Sequence, residues 1–186
     1  PPAAVSGTWD ALDAMEKISV DAGKALAEFR NYEDSSRHSI VELHYREMRA
    51  HHCVDKTRYF SDKYHKFDHA KMTVWECFEA LKGYVDSSDP DSELPNLEHM
   101  LQTAEAIRAA GHPDWFQLTG LLHDMGKCMY LWGEEADGQI GRADFPQWGL
   151  GGDTWVVGMP IPDTVVFPEF NGLNPDAGKY SAPHGM

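Results

Sequence analysis

The sequence is short of positive charge. Its 186 residues carry 16 Lys and Arg against 30 Asp and Glu, a net charge of −14. Phosphate backbones and anionic lipid surfaces attract the opposite balance, so neither nucleic acid nor membrane is expected as a partner. No apolar run approaches the roughly 20 residues that span a bilayer. No charged-then-apolar leader opens the chain. Cysteine is scarce: Cys53, Cys77 and Cys128 are scattered, odd in number and free of CxxC spacing. That gives no zinc-thiolate signal and points to a reducing compartment, the cytoplasm. A dinucleotide fingerprint and a P-loop are both missing, so no nucleotide site is expected. An initiator methionine is missing too. The chain opens Pro1-Pro2 and stops at Gly185-Met186, which reads as a trimmed piece of a longer protein.

What is present is an ordinary globular composition, 42% hydrophobic and 25% charged, in a length that fits one domain with a real core. Residues 9–29 carry a loose amphipathic pattern that predicts a helix. A long helical pattern follows from Ser39 to Tyr64, with Ile40, Leu43, Met48, Val54 and Tyr59 as core candidates. Six histidines lie in or near it. His44, His51 and His52 share a face, but no carboxylate spacing joins them, so they read as half-buried helix surface rather than ligands. Thr73 with Glu76 has the form of a capping box opening a helix that buries Val74, Phe78 and Leu81 and stops near Gly83. Residues 85–91 form a loop dense in carboxylates and hydroxyls, which by itself is turn chemistry. Asn96 is placed to cap a helix from Leu97 to Ala110 striped by Leu97, Leu101, Ala104 and Ile107. Asp114, with Gln117, caps the next, which runs through Leu118, Leu121 and Leu122. After Trp132 glycine and proline become frequent. Trp155–Val157 and Thr164–Phe167 predict a short β-hairpin, and Gly149–Asp153 offers backbone N–H groups beside a carboxylate.

The chemistry concentrates in Leu121-Leu122-His123-Asp124-Met125-Gly126-Lys127. A carboxylate in so apolar a run needs a partner. His99, 24 residues upstream, lies on another predicted helix among the small residues Thr103, Ala106 and Ala110. Two imidazoles and a carboxylate suit a transition metal. A plain His–Asp hydrogen bond would satisfy the same groups.

The pattern His99…His123-Asp124 resembles the first half of the HD-domain metal motif. Phe29-Arg30-Asn31-Tyr32, Lys71-Met72-Thr73-Val74, Val85-Asp86 through Asp89-Pro90-Asp91 and Gln102-Thr103-Ala104-Glu105 resemble the myo-inositol oxygenase family. So do Asp114-Trp115-Phe116, Gly120 through Lys127, Pro146-Gln147-Trp148 and Gly152-Asp153-Thr154. The resemblance runs in one order from Phe29 to Met186. It implies a mainly α, HD-domain-like helical bundle over residues 29–186, lacking its C-terminal portion, with residues 1–28 as a partly helical extension and the β-hairpin in its C-terminal part. It also implies a monomeric oxidoreductase of inositol catabolism that cleaves myo-inositol with O2 to D-glucuronate at two mixed-valent irons, Fe(II)/Fe(III). His99, His123 and Asp124 would be iron ligands, Asp124 bridging both ions. Arg30, Asp86, Ser87, Ser88, Lys127, Gly152 and Asp153 would bind the substrate, and Lys127 would stabilise the alkoxide formed from a bound hydroxyl. Residues 135–145 look like a surface insertion. The family's remaining ligands, two histidines and an aspartate, lie further downstream, so these residues alone are expected to bind iron incompletely and to be catalytically impaired. An HD-type metal-dependent phosphohydrolase is the competing expectation.

Overall fold

The computed structural model describes residues 31–32, 34–140, 144–152 and 157–180, all within a compact unit spanning Asn31–Met186. These residues are mainly helical. α1 (His38–His51), α2 (Val54–Tyr64), α3 (Val74–Leu81), α4 (Asn96–Ala109) and α5 (Asp114–Leu122) are joined to 3₁₀ helices at Met125–Trp132, Glu135–Asp137 and Pro168–Leu173. Among the described residues, no helix is long and apolar enough to cross a membrane. The helix expected over residues 9–29 lies outside them.

The continuous pattern from Ser39 to Tyr64 is two helices rather than one. The break at His52 and Cys53 is held from far along the chain. Asn174 Nδ2 donates to the carbonyls of Arg49 (3.0 Å) and His52 (2.9 Å), and the Val54 N–H donates to the Asp176 carboxylate (2.8 Å). These bonds satisfy backbone groups that the two helix ends leave open. The capping box forms as expected, with Thr73 Oγ1 accepting from the Glu76 N–H (3.2 Å) and Glu76 Oε2 accepting from the Thr73 N–H (2.7 Å). Asn96 and Asp114 are not caps. Pro95 and Pro113 occupy those positions, which puts Asn96 and Asp114 inside the first turns.

Two apolar clusters form the core. Cys77, Phe78, Leu81, Tyr84, Met100 and Cys128 pack between α3, α4 and the Met125–Trp132 helix. Val41, Tyr45, Met48, Trp148 and Phe167 pack on the inner face of α1. Leu101 and Leu118, expected in the core, are about half exposed, because α4 and α5 meet through Thr103, Ala104, Ile107 and Gly120 instead. Val74 also faces solvent.

The β-hairpin does not form. Among the described residues the one bridge is isolated, Val85 with Pro95, and 157–167 runs as turns. Pro160 and Pro162 cannot donate to a ladder. Phe167 takes φ 53° and packs onto α1, while Arg49 Nη2 donates to the Val166 carbonyl (3.1 Å). Trp155 and Val156 lie outside the described residues. The supposed surface insertion is partly interior: Asp137 and Gln139 are buried, the first accepting from Lys63 (2.7 Å), the second from the Tyr64 hydroxyl (2.5 Å). Gly138 takes φ 61° against the Trp148 ring, where a Cβ would fall 2.3 Å from a ring carbon.

Cysteine spacing also misleads. Cys77 and Cys128 form a disulfide and Cys53 is free. Their separation of 51 residues hides that α3 packs against the Met125–Trp132 helix. The spacing therefore does not argue for a reducing compartment.

Candidate metal centre

Small residues bring the two imidazoles together. Gly120 of α5 sits against α4, where a Cβ would lie 2.5 Å from Ile107 Cδ1 and 3.5 Å from Ala104 Cα. This close crossing lets His99, in the first turn of α4, face His123 at the end of α5. A valine at Gly120 would wedge the helices apart. Gly120→Val is expected to weaken binding of a divalent transition metal at least about tenfold, the usual scale for disturbing a ligand's support. Metal titration of the folded variant checks this, and unchanged affinity would show that Gly120 does not set the spacing.

His99 Nε2 lies 3.3 Å from His123 Nε2 and 3.7 Å from Asp124 Oδ2, and His123 Nε2 lies 3.4 Å from the same oxygen. The edges of this triangle suit three donors about 2.1 Å from one shared ion. His123 Nδ1 is 2.7 Å from the Gly120 carbonyl. A proton held there leaves the Nε2 lone pair facing the triangle, the usual support for a metal-ligating imidazole. Burial pushes His99 below its ordinary value against the pull of Asp124, which also favours the neutral, ligating form. Among the described residues this is the one group of three or more His, Cys, Asp or Glu able to hold an ion. The donors fit a transition metal.

Lys127 follows within one turn. Its ammonium donates to Asp86 Oδ2 (2.7 Å), Asp124 Oδ2 (2.9 Å) and Asn96 Oδ1 (3.1 Å). Burial works against its charge, but Asp86 and Asp124 outweigh burial and hold it above the ordinary lysine range. Burial likewise opposes ionisation of Asp86, yet Lys127 and the Ser88 hydroxyl and N–H hold it down to about 2. Asp86 is thus a fixed anion at neutral pH.

The loop carrying Asp86 is clamped from behind. Arg37 donates to the carbonyls of Asp86 (3.0 Å), Asp89 and Ser92. Gln147 Nε2 donates to the Val85 carbonyl (2.8 Å), its Oε1 accepts from the Ser87 N–H (3.1 Å), and its N–H donates to Ser87 Oγ (2.9 Å). His44 Nδ1 lies 2.7 Å from that same Oγ. Arg37 and His44 were missed by sequence reasoning, because neither stands in a motif and their partners lie 43 to 55 positions away. Of the expected site residues, the structure brings together His99, His123, Asp124, Lys127, Asp86 and Ser88. Ser87 faces inward, fully buried, so its side chain supports the loop rather than lining an opening. Gly152 rests on His44 and Met48 of α1. The Gly149 N–H donates to the Gly138 carbonyl, and those of Leu150 and Gly151 to the Gln147 carbonyl, so these amides are used internally. Arg30 and Asp153 lie outside the described residues.

Burial pushes His44 down to about 4, although Asp86 pulls the other way. Between its ordinary 6.5 and about 4 the unfolded chain takes a proton that the folded chain refuses. The stability is therefore full above pH 6.5 and lost as pH falls to about 4, by up to about 3 kcal/mol. Urea unfolding from pH 7 to 4 measures it, and His44→Asn is expected to flatten that slope. An equal slope in the variant would assign it to other groups.

The sequence model of the family described as myo-inositol oxygenase matches residues 38–186. Inositol oxygenase of Homo sapiens is 41% identical over 174 residues, 91% of this chain and 57% of the relative. Inositol oxygenase 1 of Arabidopsis thaliana is 38% identical over 163 residues, 85% and 50% of the two chains. Inositol oxygenase of Dictyostelium discoideum is 37% identical over 181 residues, 94% and 58%. The chain spans about half the length of these curated relatives. Matched over most of its length, with the His99, His123 and Asp124 triad inside the matched region, the chain belongs to the myo-inositol oxygenase family.

Proposed function

We propose that this chain carries part of the active site of an iron-dependent oxygenase that cleaves myo-inositol with O2 to D-glucuronate. Convergence carries the reading: three ligating atoms 3.3–3.7 Å apart meet an ammonium that also grips Asp86. Iron held by His99, His123 and Asp124 would supply redox chemistry that acid–base side chains cannot. In the same reading a second iron would also be held, with Asp124 a ligand to both.

The protein groups bind and orient the polyol. Asp86, held ionised, accepts hydroxyl hydrogens, and the Ser88 hydroxyl at 2.6 Å fixes the carboxylate's orientation. With Asp124 turned to iron, the Lys127 N–H now facing Asp124 Oδ2 would be released to a hydroxyl oxygen as negative charge develops there. The Gly152 backbone, seated on His44 and Met48, would offer a polar main-chain contact to the substrate. Arg30 and Asp153, outside the described residues, belong to the same proposal through the family resemblance alone. An HD-type phosphohydrolase would use a similar triad but needs cations around a phosphate. Here the Arg37 guanidinium is committed to loop carbonyls, and Lys127 stands between the Asp86 and Asp124 carboxylates, whose negative charge would repel a phosphate. The test loads the protein with iron and titrates myo-inositol. A changed EPR spectrum, slow inositol-dependent O2 uptake and no phosphate release from phosphate esters are expected. Phosphate release without O2 uptake would establish the hydrolase, and His99→Ala or Asp124→Ala should abolish iron binding.

A further inference from the structure

We propose that His44 is a positioning residue that sets the Asp86–Ser88 loop and the Gly151–Gly152 turn at a fixed spacing. The inference rests on the reading of those two segments as substrate walls.

His44 is fully buried on α1. Its Nδ1 lies 2.7 Å from Ser87 Oγ, which already accepts the Gln147 N–H. If Nδ1 also donated, the buried Ser87 hydroxyl hydrogen would need another acceptor. The consistent arrangement has Ser87 donating to Nδ1, with the imidazole proton on Nε2. The Nε2 edge then faces the Gly151–Gly152 turn. A Cβ on Gly152 would fall 2.7 Å from His44 Nε2, and one on Gly151 would fall 2.6 Å from Asp86 Oδ1. The turn is therefore seated on Asp86 and on His44 at once, with no room for a side chain at either glycine. Nε2 faces the Gly151 backbone but makes no well-formed hydrogen bond.

Packing alone does not account for an imidazole here. A leucine would fill similar volume without burying an unsatisfied nitrogen, which is costly. The ring instead has one polar edge on each segment. Asp86, Lys127 and His52 are the charged or titratable groups that act on it, and it stays neutral among them. It therefore acts through contact and a hydrogen bond rather than through charge. Gripping neighbouring hydroxyls of one polyol ring demands spacing held to a fraction of an ångström.

The test uses the protein with His44→Asn and His44→Gln, since the Asn amide overlays Nδ1 and the Gln amide overlays Nε2. ¹⁵N NMR of the wild type should show a neutral ring protonated on Nε2 alone. Amide exchange in His44→Asn should stay within about twofold at Ser87 and Ser88 but rise at least about tenfold at Gly151 and Gly152. His44→Gln should show the reverse. Equal acceleration of both segments in step with global unfolding, or no acceleration in either variant, would overturn the proposal and leave His44 a core filler. Myo-inositol affinity should fall about tenfold in each variant. A wild type that does not bind inositol, with the differential exchange intact, would refute the substrate reading alone and sustain the coupling.

Discussion

Reduction of the Cys77–Cys128 disulfide is expected to cost the fold about 4 kcal/mol. A cross-link separated by 51 residues limits the unfolded ensemble, and the chain-entropy relation for a loop of that length gives about 4 kcal/mol. For a chain of this size that corresponds to a fall in Tm of about 10 °C. The closed loop contains Asp86, Asn96, His99, His123, Asp124 and Lys127, so the covalent tie encloses the candidate ligand triad and the ammonium beside it. Urea unfolding with and without a dithiol reductant measures the effect, and Cys77→Ser with Cys128→Ser repeats it without reductant. Cys53 provides the internal count: alkylation of the denatured, unreduced chain should find one thiol, and three after reduction. Three thiols before reduction would remove the bond, and with it the expected loss.

Legibility in the sequence followed range. The Thr73–Glu76 capping box was readable because both of its bonds span three residues. His99 and His123-Asp124 were readable because the residue types carry the chemistry and each sits near a helix end. Their proximity depended on Gly120, a small residue within the motif itself. The break between α1 and α2 was not readable, since Asn174 and Asp176 hold it across 122 positions. Arg37 and His44 failed for the same reason. Nothing local distinguishes an arginine that clamps a loop from one on a solvated surface. The hairpin failed differently: β-branched residues at 164–166 read as a short strand, while the prolines and the packing of Val166 and Phe167 on α1 overrode it.

Replacing Lys127 by methionine separates what the ammonium contributes to the fold from what it contributes to the site. Methionine keeps the apolar stem, so packing changes little. The charge that lies 2.7 Å from Asp86 and 2.9 Å from Asp124 disappears, and Asn96 Oδ1 loses its donor. The Asp86 and Asp124 side chains are 21% and 16% exposed, so water recovers only part of the loss. A cost of about 3–4 kcal/mol at pH 7 follows from breaking a mostly buried pair. The pH dependence should change with it. Asp86, held near 2, contributes stability that is complete above its ordinary 3.8 and lost as pH falls to about 2. Without Lys127 that acid limb should flatten. Metal affinity should move the other way, because Lys127 competes for Asp124 Oδ2, the atom that faces both imidazoles. Fe(II) should therefore stabilise Lys127→Met more than wild type, while inositol binding is lost. Urea unfolding with and without Fe(II) reads both effects. A loss under about 1 kcal/mol would place the pair with solvent-screened surface bridges, and Lys127 would no longer be the cation that organises this site.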